Sequence, residues 1–155
     1  MQKPGSEARV RKIAACALIA LCFGGAANAA DPAPATAPAT LTVTIHNISD
    51  AGGDIRMGVY DEANFAAKDG TPVARKKSHA RGATMSFTFD AIPPGTYGAK
   101  VLQDINQNGQ FDMGMKGIEP FGFSDDPEIK GGLPPFNDVK FTVSPGNNSI
   151  DITLH

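Results

Sequence analysis

Met85-Ser86-Phe87-Thr88-Phe89-Asp90 alternates apolar and polar side chains, and after Ile92-Pro93-Pro94-Gly95-Thr96-Tyr97 the alternation resumes at Ala99 and Val101. A period of two puts Met85, Phe87 and Phe89 on one face of a strand. The Pro-Pro-Gly run cannot extend a hydrogen-bonded ladder, so it reads as a turn between this strand and the next. A tyrosine opening the second strand sits where Greek-key sandwiches carry a corner tyrosine.

The same pattern extends in both directions. Leu41, Val43 and Ile45 alternate with threonines and His46, and Ile55, Met57 and Val59 repeat the pattern up to Tyr60, across a turn-rich break at 47–53. Downstream, Val139, Phe141 and Val143, then Ile150, Ile152 and Leu154, form the last pair around Ser144-Pro145-Gly146-Asn147-Asn148. Between 61 and 68 the sequence predicts one or two helical turns, with Asp61 as cap and Phe65 turned inward. The segment 71–78 has Val73 as its main apolar anchor, and Arg75-Lys76-Lys77 mark it as a lysine-protected edge strand rather than a basic contact patch. The expectation is an all-β fold, an antiparallel Ig-like or transthyretin-like sandwich of about seven strands. One long irregular loop at 117–136, with Phe121, Phe123 and Phe136, either docks on the sandwich or forms a contact surface.

The chain has 155 residues. Its first 29 combine Lys3, Arg9, Arg11 and Lys12 with an apolar run from Ile13 to Phe23 and an Ala27-Asn28-Ala29 triplet. That is the pattern of a cleaved signal peptide. The apolar run is shorter than the roughly 20 residues of a membrane span. Residues 30–40 are Pro/Ala/Thr-rich and read as a semi-rigid linker, leaving 41–155 as the β-sandwich domain. Export to the periplasm or the extracellular space follows, with no membrane insertion once the signal is removed. Cleavage would also remove both cysteines, Cys16 and Cys22, so disulfides and thiolate sites are not expected. It takes four of the 14 basic residues and one of the 16 acidic ones (Glu7), leaving 10 against 15. An acidic domain suits neither nucleic acid nor an anionic lipid surface. A protein or envelope partner is the remaining expectation.

Chemistry is concentrated in Asp104-Ile105-Asn106-Gln107-Asn108-Gly109-Gln110-Phe111-Asp112. Oxygen side chains recur at alternate positions, Asp104, Asn106 and Asn108, with Gly109 at the turn, the carbonyl of Gln110 next and Asp112 closing. This is the ligand order of a calcium loop, in which alternate residues converge and glycine allows the sharp turn. Position 12 of the pattern is Met115, so the bidentate glutamate of an EF-hand is missing; Glu119 is the nearest downstream acid. Two carboxylates and two amides predict a calcium affinity of about 10⁻⁴ to 10⁻³ M. The competing expectation is a metal-free loop held by Asx turns to its own backbone. Met113 and Met115 could offer thioethers to Cu(I), but no third soft ligand accompanies them.

No catalytic residues emerge. Nothing in the sequence pairs His46, His79 or His155 with a serine nucleophile, and no Gly-x-Ser-x-Gly elbow is present. Asp104, Asp112 and Glu119 could pair for glycoside hydrolysis, but a chain with no tryptophan offers little platform for sugars. The reading is a non-enzymatic exported module binding calcium through Asp104–Asp112. The alternative is a metal-free interaction module using the Phe121–Phe136 loop, and a carboxylate-dependent hydrolase ranks behind both.

Pro94-Gly95-Thr96-Tyr97, Asp104-x-Asn106-x-Asn108-Gly109-x-x-Asp112, Gly122-Phe123-Ser124 and Pro135-Phe136 together resemble the uncharacterised bacterial "domain of unknown function 2141" proteins. The resemblance spans Leu41 to Leu154. It implies an exported β-sandwich and supplies no activity. Gly117-Ile118-Glu119-Pro120-Phe121-Gly122 departs from the family's usual run at that point, so the resemblance assigns nothing to Glu119.

Overall fold

The protein was analysed as a computed structural model, which describes residues 38–114 and 117–155, side chains at 113–118 excepted. The expected signal peptide (1–29) and most of the expected linker (30–40) fall outside these residues. The first strand, β1 (Ala39–His46), buries Leu41, Val43 and Ile45 and leaves the residues between them half exposed, as the alternation requires. It begins two residues before Leu41, because Ala39 is already paired on both sides, to Gly146 and Ile92.

The strands β2 (Asp54–Tyr60), β3 (Ala74–His79), β4 (Met85–Ile92), β5 (Gly95–Asp104), β6 (Met113–Gly114), β7 (Gly117–Ile118), β8 (Phe121–Phe123), β9 (Lys140–Val143) and β10 (Gly146–Thr153) follow, with helix α1 (Glu62–Phe65) after β2. One sheet has the order β10-β1-β4; the other has β3-β2-β5-β8, with β9 also pairing β5; β6 and β7 form a small hairpin. The two larger sheets enclose a core of Leu41, Val43, Ile45, Ile55, Met57, Val59, Phe87, Phe89, Val101, Ile152 and Leu154. The expected sandwich is therefore present, with two adjustments.

Pairing is antiparallel except between β1 and β10, which run parallel. Residues 117–136 are not one irregular loop, since Phe121-Gly122-Phe123 pairs with Leu102 to Lys100 of β5. Three residues with a central glycine are too short to show a period, so only the ladder reveals the strand. Val73 is not an anchor: it is 41% exposed, and its N–H bonds the Val59 carbonyl. The charged segment forms the edge strand β3 as expected, with Lys76 Nζ donating to the Thr88 carbonyl of β4.

β5 is the central strand. Along one edge it pairs first with β9, through Gly95–Gly98, and then with β8, through Lys100–Leu102. At the gap between them Ser124 substitutes for a strand partner. Its N–H donates to the Ala99 carbonyl, its Oγ accepts from Ala99 N–H at 2.9 Å, and its hydroxyl donates to the Val139 carbonyl. At the strand's start, the Tyr97 hydroxyl donates to the Pro93 carbonyl at 2.8 Å, which is the corner bond the sequence predicts. Burial raises the Tyr97 pKa, with Asp61 adding to the effect.

A second cluster joins Phe65, Phe123 and Val139 with Tyr60, Phe121, Ile129 and Phe136. Asp61 caps α1 by accepting from Asn64 N–H, as expected, and this delivers the fully buried Phe65 onto Gly98. A Cβ at Gly98 would lie 3.0 Å from both Phe65 and Val139, so only glycine lets the ring seat this low. Phe65 meets Phe136 and Phe123 edge-on, at centroid distances of 5.7 and 6.4 Å. Lys100 lies 4.6 Å from the Tyr60 and Phe65 ring centroids and donates to the Phe65 carbonyl; burial lowers its pKa. Phe65→Ala is expected to cost about 3–5 kcal/mol, measured by chemical denaturation, since Tyr60, Phe123 and Phe136 all pack edge-on against its ring.

Candidate functional site

Asp104 is the last residue of β5 and the register partner of Asp54 on β2. Its side chain is fully buried. One carboxylate oxygen, Oδ2, accepts from the backbone N–H of Gly109 at 2.9 Å and from Arg56 Nη1 at 3.2 Å. The other, Oδ1, has no hydrogen-bond partner among the described residues. An unsatisfied buried polar atom costs about 1–3 kcal/mol, more if charged, so this oxygen needs an explanation.

The loop reverses through left-handed backbone at Gln107 (φ 60°) and Gly109 (φ 82°). A side chain at Gly109 would also meet Arg56 Nη1 at 2.6 Å. Two Asx turns set the spacing between. Asn108 N–H donates to Asn106 Oδ1 at 2.9 Å, and Gln110 N–H donates to Asn108 Oδ1 at 2.7 Å. The amide groups of Asn106 and Asn108 both donate to Asp112 Oδ2, at 2.5 and 2.7 Å. Asn106, Asn108 and Asp112 are thus tied into one ring of bonds, which Gln110 joins through its backbone, while Asp104 holds the turn separately through Gly109.

Glu119 is the residue that the spacing left outside the set. It is buried, and its Oε1 accepts from Ile105 N–H at 2.9 Å while its Oε2 accepts from Asp112 N–H at 3.1 Å. The Glu119 N–H in turn donates to the Asp112 carbonyl. One carboxylate clamps both ends of the loop. The only signal in the sequence was an acid in a segment without clear periodicity. Arg56 carried none, since an arginine alternating with Ile55 and Met57 reads as the solvent face of a strand.

Among the described residues no three His, Cys, Asp or Glu side chains gather about one point. A cation held here would draw on amide and backbone oxygens beside Asp104 and Asp112. Each amide oxygen in an Asx turn has used one of its two lone pairs. Beside the loop, Lys77 Nζ bonds Asp54 Oδ2 at 2.9 Å and His79 Nδ1 lies 3.4 Å from Oδ1. The Lys77 bond is the main reason the Asp54 pKa falls below its ordinary value. Of the methionines, the strand residue Met57 is buried in the core and Met85, also on a strand, packs against it. The side chains of Met113 and Met115 lie outside those described.

A family model for an uncharacterized protein conserved in bacteria, DUF2141, matches residues 43–151. The chain belongs to this family. The DUF2141 match contains the whole loop, Arg56 and Glu119, so the site lies within the family's own domain. No curated protein matches the chain. Among solved structures, a pilus-presented adhesin, Cpa, is similar over 80% of this chain and 27% of that one, at 13% identity and a TM-score of 0.31. At that score the likeness carries no argument.

Glu119→Ala is expected to remove the acceptor of two backbone N–H groups at once. The metal-free protein should lose about 1–3 kcal/mol, and amide exchange at Ile105 and Asp112 should accelerate.

Proposed function

We propose that this is an exported, non-enzymatic β-sandwich module whose Asp104–Asp112 loop takes up calcium and is stiffened by it. The observation that carries the reading is the buried, unpartnered Oδ1 of Asp104 at the head of a loop whose oxygens alternate with the spacing of a calcium ligand set. The Asp104–Gly109 bond supports it as well, because the acid at position 1 already anchors the turn glycine at position 6. The ligand set is Asp104, Asn106, Asn108, the Gln110 carbonyl and Asp112. Its low charge places the affinity at about 10⁻⁴ to 10⁻³ M, where an extracellular or periplasmic module meets its ion. Export rests on the pattern of residues 1–29. No helix among the described residues is long and apolar enough to cross a membrane.

Two other readings lose support. Phe123 is buried, and the half-buried Phe121 and Phe136 pack into the second cluster, which favours docking within the domain over a contact surface. A glycosidase pair needs carboxyl groups that reach substrate. Asp104 is wholly buried, and both oxygens of Glu119 accept backbone N–H groups.

Thermal melting with and without calcium tests the proposal. At about ten times Kd, binding to the native state alone adds about 1.4 kcal/mol. That corresponds to a rise of roughly 5 °C for a domain of this size. The rise should vanish in Asp104→Ala/Asp112→Ala. No rise in the wild type, or an equal rise in the double variant, counts against the site.

A further inference from the structure

We propose that Arg56 is the resident counter-cation of this loop and holds its calcium affinity down, an inference that rests on the calcium reading above. Asp104 is the one acid of the ligand set with a fully buried side chain, and Arg56 Nη1 lies 3.2 Å from its Oδ2. The guanidinium also lies against the turn, where a Cβ on Gly109 would come within 2.6 Å of Nη1. It therefore sits directly against the turn glycine as well as against Asp104. The Arg56 side chain is 39% exposed, so it can swing into solvent without unpacking the core.

A basic group beside a metal-binding carboxylate can act in two ways. It can orient the ligand and strengthen binding, or it can repel the ion and weaken it. Orientation is already supplied here by the Gly109 N–H, which is fixed by the backbone and bonds the same oxygen at 2.9 Å. What Arg56 adds is a positive charge, and repulsion from a divalent ion is twice that from a monovalent one at the same separation. The neighbouring basic groups face a different acid, which leaves Arg56 as the cation on Asp104. Lys77, opposite Arg56 in the β2–β3 register, is engaged with Asp54, and His79 faces the same carboxylate. In the metal-free protein Arg56 neutralises Asp104; a bound calcium takes over that role, and the guanidinium turns outward.

The experiment is calcium titration by calorimetry on purified wild type, Arg56→Gln and Arg56→Lys, with melting curves of each in chelator and in saturating calcium. Arg56→Gln should bind calcium about tenfold more tightly than wild type, whereas Arg56→Lys, which keeps the charge, should stay close to wild type. Arg56→Gln should also melt lower in chelator and regain wild-type stability in calcium. Binding by Arg56→Gln alone supports the repulsive role of Arg56 and overturns calcium uptake by the wild-type loop. Equal or weaker binding by Arg56→Gln than by wild type overturns the role of Arg56 and leaves the calcium site standing. No binding by any of the three overturns both.

Discussion

A carboxylate buried at the end of the central strand must find its partners inside the protein, and the loop that follows and the neighbouring strand β2 supply them. Desolvating an ionised acid is costly unless hydrogen bonds and an opposite charge replace the water. Gly109 provides a backbone N–H, Arg56 provides the charge, and one oxygen is left for something else. The bends at Gln107 and Gly109, the Asx turns at Asn106 and Asn108, and the Glu119 clamp close the loop whose turn glycine this group anchors.

The sandwich supplies the rigidity that such a loop requires. β5 is held along one edge by β2 and along the other by β8 and β9, so Asp104 leaves the sheet from a fixed position. Gln103, the residue before it, is fully buried. Its amide bonds the Ser49 and Gly52 carbonyls, and its oxygen accepts from Ser49 N–H. The aromatic cluster reaches the loop as well, through Phe111 edge-on to Phe121 at 5.2 Å. Ligand geometry is more precise when the supporting shell is locked in this way.

Much of this was legible in the sequence because strand periodicity and turn chemistry are local properties. The inward faces of β1, β2, β4 and β5, the Asp61 cap with Phe65 turned in, the Tyr97 corner and the position of the polar loop could all be read from neighbouring residues. What could not be read depends on residues brought together from a distance. Arg56 meets Asp104 across 48 positions, and Ser124 meets Ala99 across 25. β8 exists because β5 offers it a ladder, not because Phe-Gly-Phe has a period. Val73 misled for the same reason, since an apolar residue in a charged segment looks like an anchor until its neighbours are known. Glu119 was visible as an acid, but its bond to Ile105 spans 14 residues and its role as a clamp follows only from the hairpin between them.

An anomalous difference map from a crystal grown in millimolar calcium tests a cation at Asp104 most directly. A peak is expected within about 2.3–2.6 Å of Asp104 Oδ1, with further oxygens from Asn106, Asn108, the Gln110 carbonyl and Asp112 around it. A map with no peak in the loop, and Arg56 still bonded to Asp104, would contradict it.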